Sequence, residues 1–447
     1  MLAESNVCQE CRSKGIWNKN ETLDRNDLEA LQLKRLKKSL KQALKVPFYK
    51  QKFAELNIDI EKDINSLEDI KKLPFTTKAD MRENYPVGLL AVPKSALARF
   101  HGSSGTTGKP TFVGYTKNDL ELWSELCARF LYSGGLREEH ITQVAFGYGL
   151  FTGGFGLHYG IEKVGASIIP ASAGNTKRQI ILMQDLEADA LICTPSYALT
   201  IIDALKEMNL SPDELNLKHA FFGGEQWTED MRFKIESALN IKCWNNYGLS
   251  EIIGPGVSGE CEYHTGMHIQ EDHFIVECLN PDTLEPVKEG EHGELVITTL
   301  TKEAMPVVRY RTRDLCKLNY GKCECGRTTK RMGRVIGRSD DMLIIRGVNI
   351  FPSQIEEALL RVEGVAPHYF IEVTRPANTD LLNVKVEVTP ECFSDQMREM
   401  QQLKESISRE INSIIGIRAN IELVPPNTLE RFLGKAKRVV DHRNLID

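Results

Sequence analysis

The stretch of this chain best suited to chemistry is GSSGTTGKPT, residues 102–111, which is rich in Gly, Ser and Thr and contains Lys109. Its glycines allow successive main-chain N–H groups to converge on an anion, and its hydroxyls and ammonium group add donors. It is not a Walker A loop, because that pattern requires Gly at Ser103 and Ser or Thr at Pro110. The composition favours a phosphate-binding loop over the alternative, a plain surface loop.

A second group of residues has the chemistry of a metal site. Cys323 and Cys325 lie in KCECGR, and Cys261 precedes two histidines in CEYHTGMH. Three thiolates and one imidazole would complete a tetrahedral, structural zinc site. We favour His268 as the fourth ligand over His264, because GMHIQEDHF is expected to lie against antiparallel strands. Free thiols beside a buried histidine are the alternative, since C-x-C is not the usual C-x₂-C spacing.

Composition excludes several classes of function. The 447 residues carry a formal net charge of -6, so nothing recommends a nucleic-acid partner. No apolar run approaches the ~18 residues of a membrane span. Eleven cysteines, an odd number, do not suggest a disulfide framework, and a reducing, cytoplasmic location is expected. The pair Cys8 and Cys11 is interpreted as a weakly structured end rather than a metal site.

Hydrophobic periodicity predicts the elements that must position these residues. Leucines recur at helical spacing from Leu28 to Leu44, with Asp24 or Asn26 as the N-cap, and PFY at 47–49 is expected to interrupt or end that helix. Between 95 and 340, buried strands such as ITQVAFGYG and ADALICTP alternate with helices such as SYALTIIDALKEM. This alternation predicts an α/β fold with a mostly parallel sheet, followed by an antiparallel hairpin in DHFIVECLNPDTLEPVKEGEHGELVITTL.

A domain boundary is expected at GRSDDML, residues 337–343. Beyond it, the sequence predicts a strand in MLIIRG, a helix in PSQIEEALLRV, a hairpin, a long helix closed by Gly416, and a final strand in RANIELVP. These elements make a small α+β unit of about a hundred residues, within the usual range for a domain.

Five segments, in order along the chain, resemble signatures of the adenylate-forming enzymes. They are SSGTTGKPT, NNYGLSE, YRTRDL, GRSDDMLIIRG and LGKAKR. In YRTRDL, Arg313 stands where the family pattern has Gly, which leaves the local backbone path open. Longer strings, including LTKEAMPVVRYRTRDL and GYGLFTGGFGLHYG, resemble the phenylacetate–CoA ligases over nearly the whole chain.

The resemblance implies a two-domain ligase. Residues 1–339 would form the adenylation domain, with mostly parallel sheets and a β-barrel-like part, and residues 340–447 a mobile α+β cap. A carboxylate would attack the α-phosphate of ATP, and the thiol of coenzyme A would then displace AMP. Glu251 would hold Mg²⁺, Asp314 the ribose hydroxyls, and Lys435 would bridge the attacking carboxylate and the α-phosphate.

The remaining roles follow from the same resemblance. The nucleotide would also contact Ser103, Ser104, Gly105, Thr106, Thr107, Gly108, Lys109, Gly223, Gly224, Glu225, Asn246, Tyr247, Gly248, Ser250 and Arg338. The acid pocket would include Tyr148, Phe151, Gly153 and Gly248, and the open space beside the aromatic rings favours an arylacetic acid over other aromatic acids. Gly347 would line the coenzyme A path, Asp340 would be the hinge, and a homodimer is a family expectation.

Two other functions remain open from the sequence. The adenylate could be passed to a carrier-protein thiol or an amine rather than to coenzyme A. Alternatively, the chain could be a catalytically silent adenylate-binding or zinc-binding interaction protein. The joint presence of Glu251, Asp314 and Lys435 argues against the silent alternative.

Overall fold

The structure is a computed structural model that describes residues 15–103, 111–340, 342–346, 348–376, 380–393, 397–431 and 438–443. The helices are α1 Arg25–Ala43, α2 Pro47–Glu55, α3 Ile60–Asp63, α4 Lys78–Glu83, α5 Lys117–Ser133, α6 Thr152–Val164, α7 Thr176–Asp185, α8 Pro195–Glu207, α9 Glu229–Leu239, α10 Pro352–Leu360 and α11 Met397–Ile415. The strands of the first 340 residues are β1 Arg99–Gly102, β2 Phe112–Tyr115, β3 Ile141–Val144, β4 Ser167–Ile169, β5 Ala190–Cys193, β6 His219–Phe222, β7 Lys242–Leu249, β8 Gly254–Glu260, β9 Met267–Ile269, β10 Phe274–Leu279, β11 His292–Thr299, β12 Tyr310–Asn319, β13 Arg331–Met332 and β14 Gly337–Arg338. The later strands are β15 Leu343–Ile345, β16 Val348–Ile350, β17 Val365–Thr374, β18 Leu381–Val388, β19 Asn420–Val424 and β20 Val439–Asp441.

One large sheet organises the chain up to residue 340, in the order β10-β11-β12-β13-β9-β8-β7-β6-β5-β3-β4, with β14 paired to β12. The strands from β4 to β7 are parallel, whereas the pairing from β7 to β8 and beyond is antiparallel. The predicted α/β fold, including the antiparallel hairpin of β10 and β11, is therefore confirmed. The switch from parallel to antiparallel pairing falls at β7, which ends in NNYGL and is followed directly by Ser250 and Glu251.

Helices cover both faces of the parallel strands. On one face, α5 and α6 pack through Leu126 and Ile161, and on the other face α7, α8 and α9 contribute side chains such as Ile180. The helices α5 and α6 approach each other closely at Gly156 and Gly160. A Cβ on Gly156 would lie 2.4 Å from the Trp123 ring, and a Cβ on Gly160 would lie 2.4 Å from the Cβ of Cys127. The Gly-rich string at 152–160 is therefore partly a packing surface.

The N-terminal segment differs from the prediction in one respect. Asp24 caps α1 by accepting a hydrogen bond from the N–H of Asp27 at 3.0 Å, as expected. The helix ends at Ala43, before PFY, and Pro47 then begins α2 instead of merely interrupting a helix. Proline suits a first helical position because its missing N–H would have no partner there.

Residues beyond 342 form the small α+β unit that the sequence predicted. Its four-stranded sheet has the order β19-β18-β17-β20, and α10 and α11 pack on it. Its core includes Ile355, Ile371, Val384 and Ile407, and no residue before 343 belongs to that cluster of described residues. The short strand β20, parallel to β17, was not predicted. Among the described residues, no helix is both long and apolar enough to cross a membrane.

Candidate active site

A cavity of about 1240 Å³ lies where the large sheet faces the C-terminal unit. Its walls come from the ends of β6 and β7, from β12 and β14, and from the C-terminal residues Glu356, Tyr369 and Arg438. Many of the predicted site residues line it: Ser103, Phe151, Gly153, Gly223, Gly224, Glu225, Asn246, Tyr247, Gly248, Ser250, Glu251, Asp314, Arg338 and Asp340. Residues 104–109, Gly347 and Lys435 lie outside the described residues.

Asp314 and Tyr247 face each other across the sheet. The Tyr247 hydroxyl donates to Asp314 Oδ2 at 2.6 Å, while Arg338 Nη1 lies 3.4 Å from Asp314 Oδ1. Burial first, and then the negative charge of Asp314, raise the pKa of Tyr247 well above its ordinary value. The phenol therefore stays protonated and remains a donor that fixes the orientation of the carboxylate.

Arg338 connects this carboxylate to the predicted hinge. Its guanidinium makes a two-pronged contact with Asp340, from Nε to Oδ1 at 2.8 Å and from Nη2 to Oδ2 at 2.9 Å. The planar fork of arginine matches a carboxylate in this way. The start of the C-terminal unit is thus linked by one side chain to the wall that carries Asp314.

The ends of β6 and β7 form the adjoining wall. Glu225 Oε1 accepts from the N–H of Ser196 at 2.7 Å, and Asn246 Nδ2 donates to the carbonyl of Phe222 at 2.7 Å. A Cβ on Gly223 would lie 2.8 Å from Asn246, so glycine is needed where the two strands meet. The carboxyl ends of parallel strands are the usual place for a ligand in such sheets.

Glu251 lies in the turn that joins β7 to β8. Gly248 permits this turn, since a Cβ there would lie 1.9 Å from the main-chain oxygen of Gly254. The hydroxyls of Ser250 and Thr152 are 3.0 Å apart, which ties the turn to the start of α6. Glu251 is 7% exposed and lines the cavity, where a carboxylate oxygen suits a hard cation such as Mg²⁺.

Lys302 is a neighbour of this turn that the sequence analysis missed. Its ammonium group donates to the main-chain oxygen of Glu251 at 3.2 Å and lies 5.3 Å from the ring centre of Tyr115. Burial lowers the pKa of Lys302 to about 8. The only indication in the sequence was the position of this lysine in LTKEAMPVV, two residues before the apolar run AMPVV.

The apolar part of the cavity adjoins the start of α6. Phe146, Phe151 and Leu157 line it, and only Phe151 among these three was predicted. Tyr148 is not among the lining residues: its hydroxyl lies 3.1 Å from His158 Nδ1, and its ring packs edge-on against Phe155. Trp227, another aromatic residue of the wall, was also missed, although it lies only two residues after the predicted Glu225.

Polar side-chain pairs join the C-terminal unit to the rest of the chain near the cavity. His368 Nε2 lies 3.1 Å from Asp203 Oδ2 on α8, and Arg334 Nη2 lies 3.6 Å from Glu357 Oε2 on α10. Within the C-terminal unit, Glu356 accepts from the Tyr369 hydroxyl at 2.6 Å and also contacts Arg438. Polar pairs therefore contribute to the contact that holds the unit in this position, together with Leu360, which packs against the apolar cluster around Ile180.

The predicted zinc ligands lie together, away from the cavity lining. One ligand atom from each of Cys261, His268, Cys323 and Cys325 falls within 4.8 Å of the others, and all four residues are buried. Contact with Cys261, and then with His268, lowers the pKa of the Cys325 thiol. Three sulfurs and one imidazole nitrogen at this spacing fit a tetrahedral Zn²⁺ ion.

The two histidine alternatives are separated by the fold. His268 is on β9, where its Nδ1 lies 3.1 Å from the Thr329 hydroxyl and its Nε2 lies 3.4 Å from Cys325 Sγ. The other candidate, His264, contacts Arg232 at 3.0 Å and stacks on Trp244. The geometry therefore places the preferred histidine, and not the alternative, with the cysteines.

Family models and known proteins agree with this architecture. A model described as "AMP-binding enzyme" matches residues 20–301, and one described as "AMP-binding enzyme C-terminal domain" matches residues 347–443. A phenylacetate–coenzyme A ligase of Thermus thermophilus is 48% identical over 95% of this chain and 98% of its own length.

Solved structures were also similar. A 2-hydroxyisobutyryl-CoA ligase in the postadenylation state, in complex with R3-HIB-AMP, has a TM-score of 0.92 and 28% identity, covering 98% of this chain and 95% of that one. The same kind of ligase in the thioesterification state, in complex with 2-HIB-AMP and CoA, has a TM-score of 0.73 and 30% identity, covering 99% and 95%. The chain therefore belongs to the phenylacetate–coenzyme A ligase family of AMP-binding enzymes, and it is an acid–thiol ligase.

Proposed function

We propose that this ligase joins an aryl acid, with phenylacetate as the first candidate, to coenzyme A through an acyl-adenylate. The observation that carries the proposal is that one cavity collects Glu251, Asp314 and Arg338 beside an apolar wall. The name of the 48% identical relative supports phenylacetate as the acid. The products would be aryl-acyl-CoA, AMP and pyrophosphate.

The acid would lie against Phe146, Phe151 and Leu157. An apolar pocket of this kind removes a flat ring from water and leaves the carboxylate at the polar side of the cavity. The Thr152–Ser250 contact connects the apolar wall to the turn that carries Glu251. The acid and the α-phosphate would therefore be held side by side, which makes the attack effectively intramolecular.

The nucleotide would lie along the ends of β6, β7 and β12. Asp314, oriented by Tyr247, would accept hydrogen bonds from the ribose hydroxyls, and Gly223–Glu225 would border the base. The Ser103–Lys109 loop would hold the outer phosphates. Glu251 would hold Mg²⁺, which supplies positive charge that neutralises the phosphates when bound.

The C-terminal unit would act as a mobile cap beginning at Asp340. In one position it would bring the Lys435 ammonium to the attacking carboxylate and the α-phosphate, and in another it would open a coenzyme A path along Gly347. The higher TM-score with the postadenylation state than with the thioesterification state supports the first position for the present conformation. The polar pairs at the interface are consistent with such a movement.

Three further properties belong to the proposal. The cluster of Cys261, His268, Cys323 and Cys325 would hold a structural zinc ion, since the adenylation chemistry has no use for it. Arg327 follows Cys323 and Cys325 in the chain, and its Nε donates to Glu21 Oε2 in the N-terminal segment at 2.6 Å. This contact would then depend on that ion. A cytoplasmic homodimer is the proposed state of the protein.

A panel of acids tests the activity. Pyrophosphate release is measured with phenylacetate, benzoate, indoleacetate and a short aliphatic acid, each with and without coenzyme A. We expect the largest kcat/KM with phenylacetate and stoichiometric formation of the thioester. Release without consumption of coenzyme A would support another acceptor, and no release with any acid would support an adenylate-binding protein.

A single substitution tests the role of the cap. Lys435→Ala is expected to block pyrophosphate release but to leave thioester formation from supplied phenylacetyl-adenylate largely intact. Lys437→Ala, two residues away, is the matched control and should retain both half-reactions. Equal loss of both half-reactions in Lys435→Ala would refute the two-position account.

A further inference from the structure

Lys302 is a buried cation beside the candidate active site. It lies between β11 and β12, is 3% exposed, and donates to the main-chain oxygen of Glu251 at 3.2 Å. The next two residues fix its backbone, because the N–H groups of Glu303 and Ala304 donate to Asp119 at 2.7 and 2.9 Å. Lys302 is therefore held rigidly, one layer behind the wall of the cavity.

A structural role alone does not account for this lysine. Burying an ammonium group carries a desolvation cost that an apolar side chain of similar size would avoid. Within the described parts of the chain, no carboxylate oxygen lies within 4.0 Å of its Nζ, so an ion pair does not offset that cost. The nearest compensation is the Glu251 carbonyl, the face of the Tyr115 ring at 5.3 Å, and the charges of Asp119 and Glu251.

The turn that carries Glu251 has a second support without charge. The Tyr115 hydroxyl donates to the main-chain oxygen of Ile253 at 3.1 Å. Lys302 and Tyr115 are neighbours and thus contact the same turn at two carbonyls. The ammonium group of Lys302 donates to that of Glu251, and the phenol of Tyr115 donates to that of Ile253. If these contacts only stabilised the turn, loss of the Lys302 contact and loss of the Tyr115 contact should have similar effects.

We propose that Lys302 is a positioning residue for adenylation, which fixes the main chain of Glu251 so that its carboxylate faces the divalent cation that accompanies ATP. The ammonium itself touches neither ATP nor the acid, since it does not line the cavity. This inference rests on the proposed role of Glu251. It adds a residue outside the ordered signatures to the machinery that binds the nucleotide.

Lys302→Met removes the charge and the donor at similar length, and Lys302→Gln keeps a donor without charge. We expect Lys302→Met to raise the Mg²⁺ concentration for half-maximal pyrophosphate release about tenfold and to lower kcat, with the KM for the acid within twofold of wild type. Its Tm should be unchanged or higher, because a buried charge has been removed. Tyr115→Phe is the matched control and should shift the Mg²⁺ dependence less than threefold.

Calorimetric binding of magnesium–ATP, which needs no acid, separates this inference from the proposed function. A wild-type protein that binds magnesium–ATP but releases no pyrophosphate with any acid overturns the activity, while weaker binding in Lys302→Met still supports the inference. Wild-type Mg²⁺ dependence in a folded Lys302→Met overturns the inference. So does an equal effect of Tyr115→Phe, or a failure of both Lys302 variants to fold.

Discussion

Gly248 is the position where β7 and β8 approach too closely for any side chain. A Cβ there would lie 1.9 Å from the Gly254 oxygen and 2.7 Å from the Cα of Pro255, both of which are main-chain atoms. Rotation of a side chain cannot relieve such a clash. Gly248→Ala must therefore move the backbone of the turn that carries Ser250 and Glu251.

The distances give the size of the effect. A carbon atom can approach a carbonyl oxygen to about 3.3 Å, so the strands must separate by roughly 1.4 Å. A misplacement of about 1 Å can cost a hundredfold in rate. We expect kcat/KM for pyrophosphate release to fall by about a hundredfold, which is roughly 2.7 kcal/mol of transition-state stabilisation. Overpacking is expected to lower the free energy of unfolding by about 1–3 kcal/mol.

The assay is pyrophosphate release at saturating phenylacetate, with thermal unfolding measured on the same preparation. Gly149→Ala is the matched control, because a Cβ at that exposed glycine would meet no atom of the described residues within 4 Å, and it should retain activity and Tm. A folded Gly248→Ala with activity within threefold of wild type would refute the reasoning. It would mean that the turn can move without displacing Glu251.

Three further outcomes are expected. In steady-state kinetics, Asp314→Ala should raise the KM for ATP roughly 10- to 150-fold and leave the KM for the acid nearly unchanged. This range corresponds to the loss of about 1.5–3 kcal/mol from a hydrogen bond to a charged group. Cys325→Ser should abolish bound zinc by elemental analysis and lower the Tm, whereas Cys392→Ser, at an exposed site, should change neither. Asp272→Asn should lower the free energy of unfolding at pH 7 by about 3 kcal/mol in urea titrations, because it removes the nearer of the two carboxylates that, among the described residues, pair with the buried Arg129 and leaves only Glu125, at 3.3 Å.

The pH dependence of the last variant follows from the sign of the shift. Burial removes the Asp272 carboxylate from water, which by itself would raise its pKa. The positive charge of Arg129, and then the contact with His273, outweigh this effect and hold the pKa of the carboxyl well below its ordinary value. The stabilisation is complete above the unfolded pKa of about 3.9 and is lost as the pH falls further. The difference between wild type and Asp272→Asn should therefore shrink below about pH 4, and a difference that grows there would contradict the assignment. Equal rises of both KM values in Asp314→Ala, or full zinc content in Cys325→Ser, would contradict the other two.

Local pattern was sufficient for most of the architecture. The period of apolar residues predicted β3, β5 and the helices between them, and the C-terminal α+β unit was read from its own alternation. Hydrophobic periodicity works here because each element must bury one face against a neighbour. One exception was local too: PFY was expected to interrupt or end a helix, and α1 does end before it, at Ala43, but Pro47 also begins a new helix, α2.

The identity of the residues around the cavity depended on contacts between distant segments. Tyr148 was assigned to the acid pocket from its glycine-rich neighbourhood, yet its hydroxyl meets His158, while Phe146 and Leu157 line the cavity. Lys302 gave almost no signal, because its partner is a main-chain oxygen some fifty residues earlier in the chain.

The sequence by itself determined the family, the α/β class and the types of side chain that are proposed to bind the nucleotide and a metal ion. The tertiary structure alone showed that His268, and not His264, lies beside the three cysteines, that Gly248 has no room for a methyl group, and that Lys302 lies behind Glu251. The reason is that side-chain type and periodicity are local properties. Distances between strands, and the atoms that face each other across them, exist only once the chain has folded.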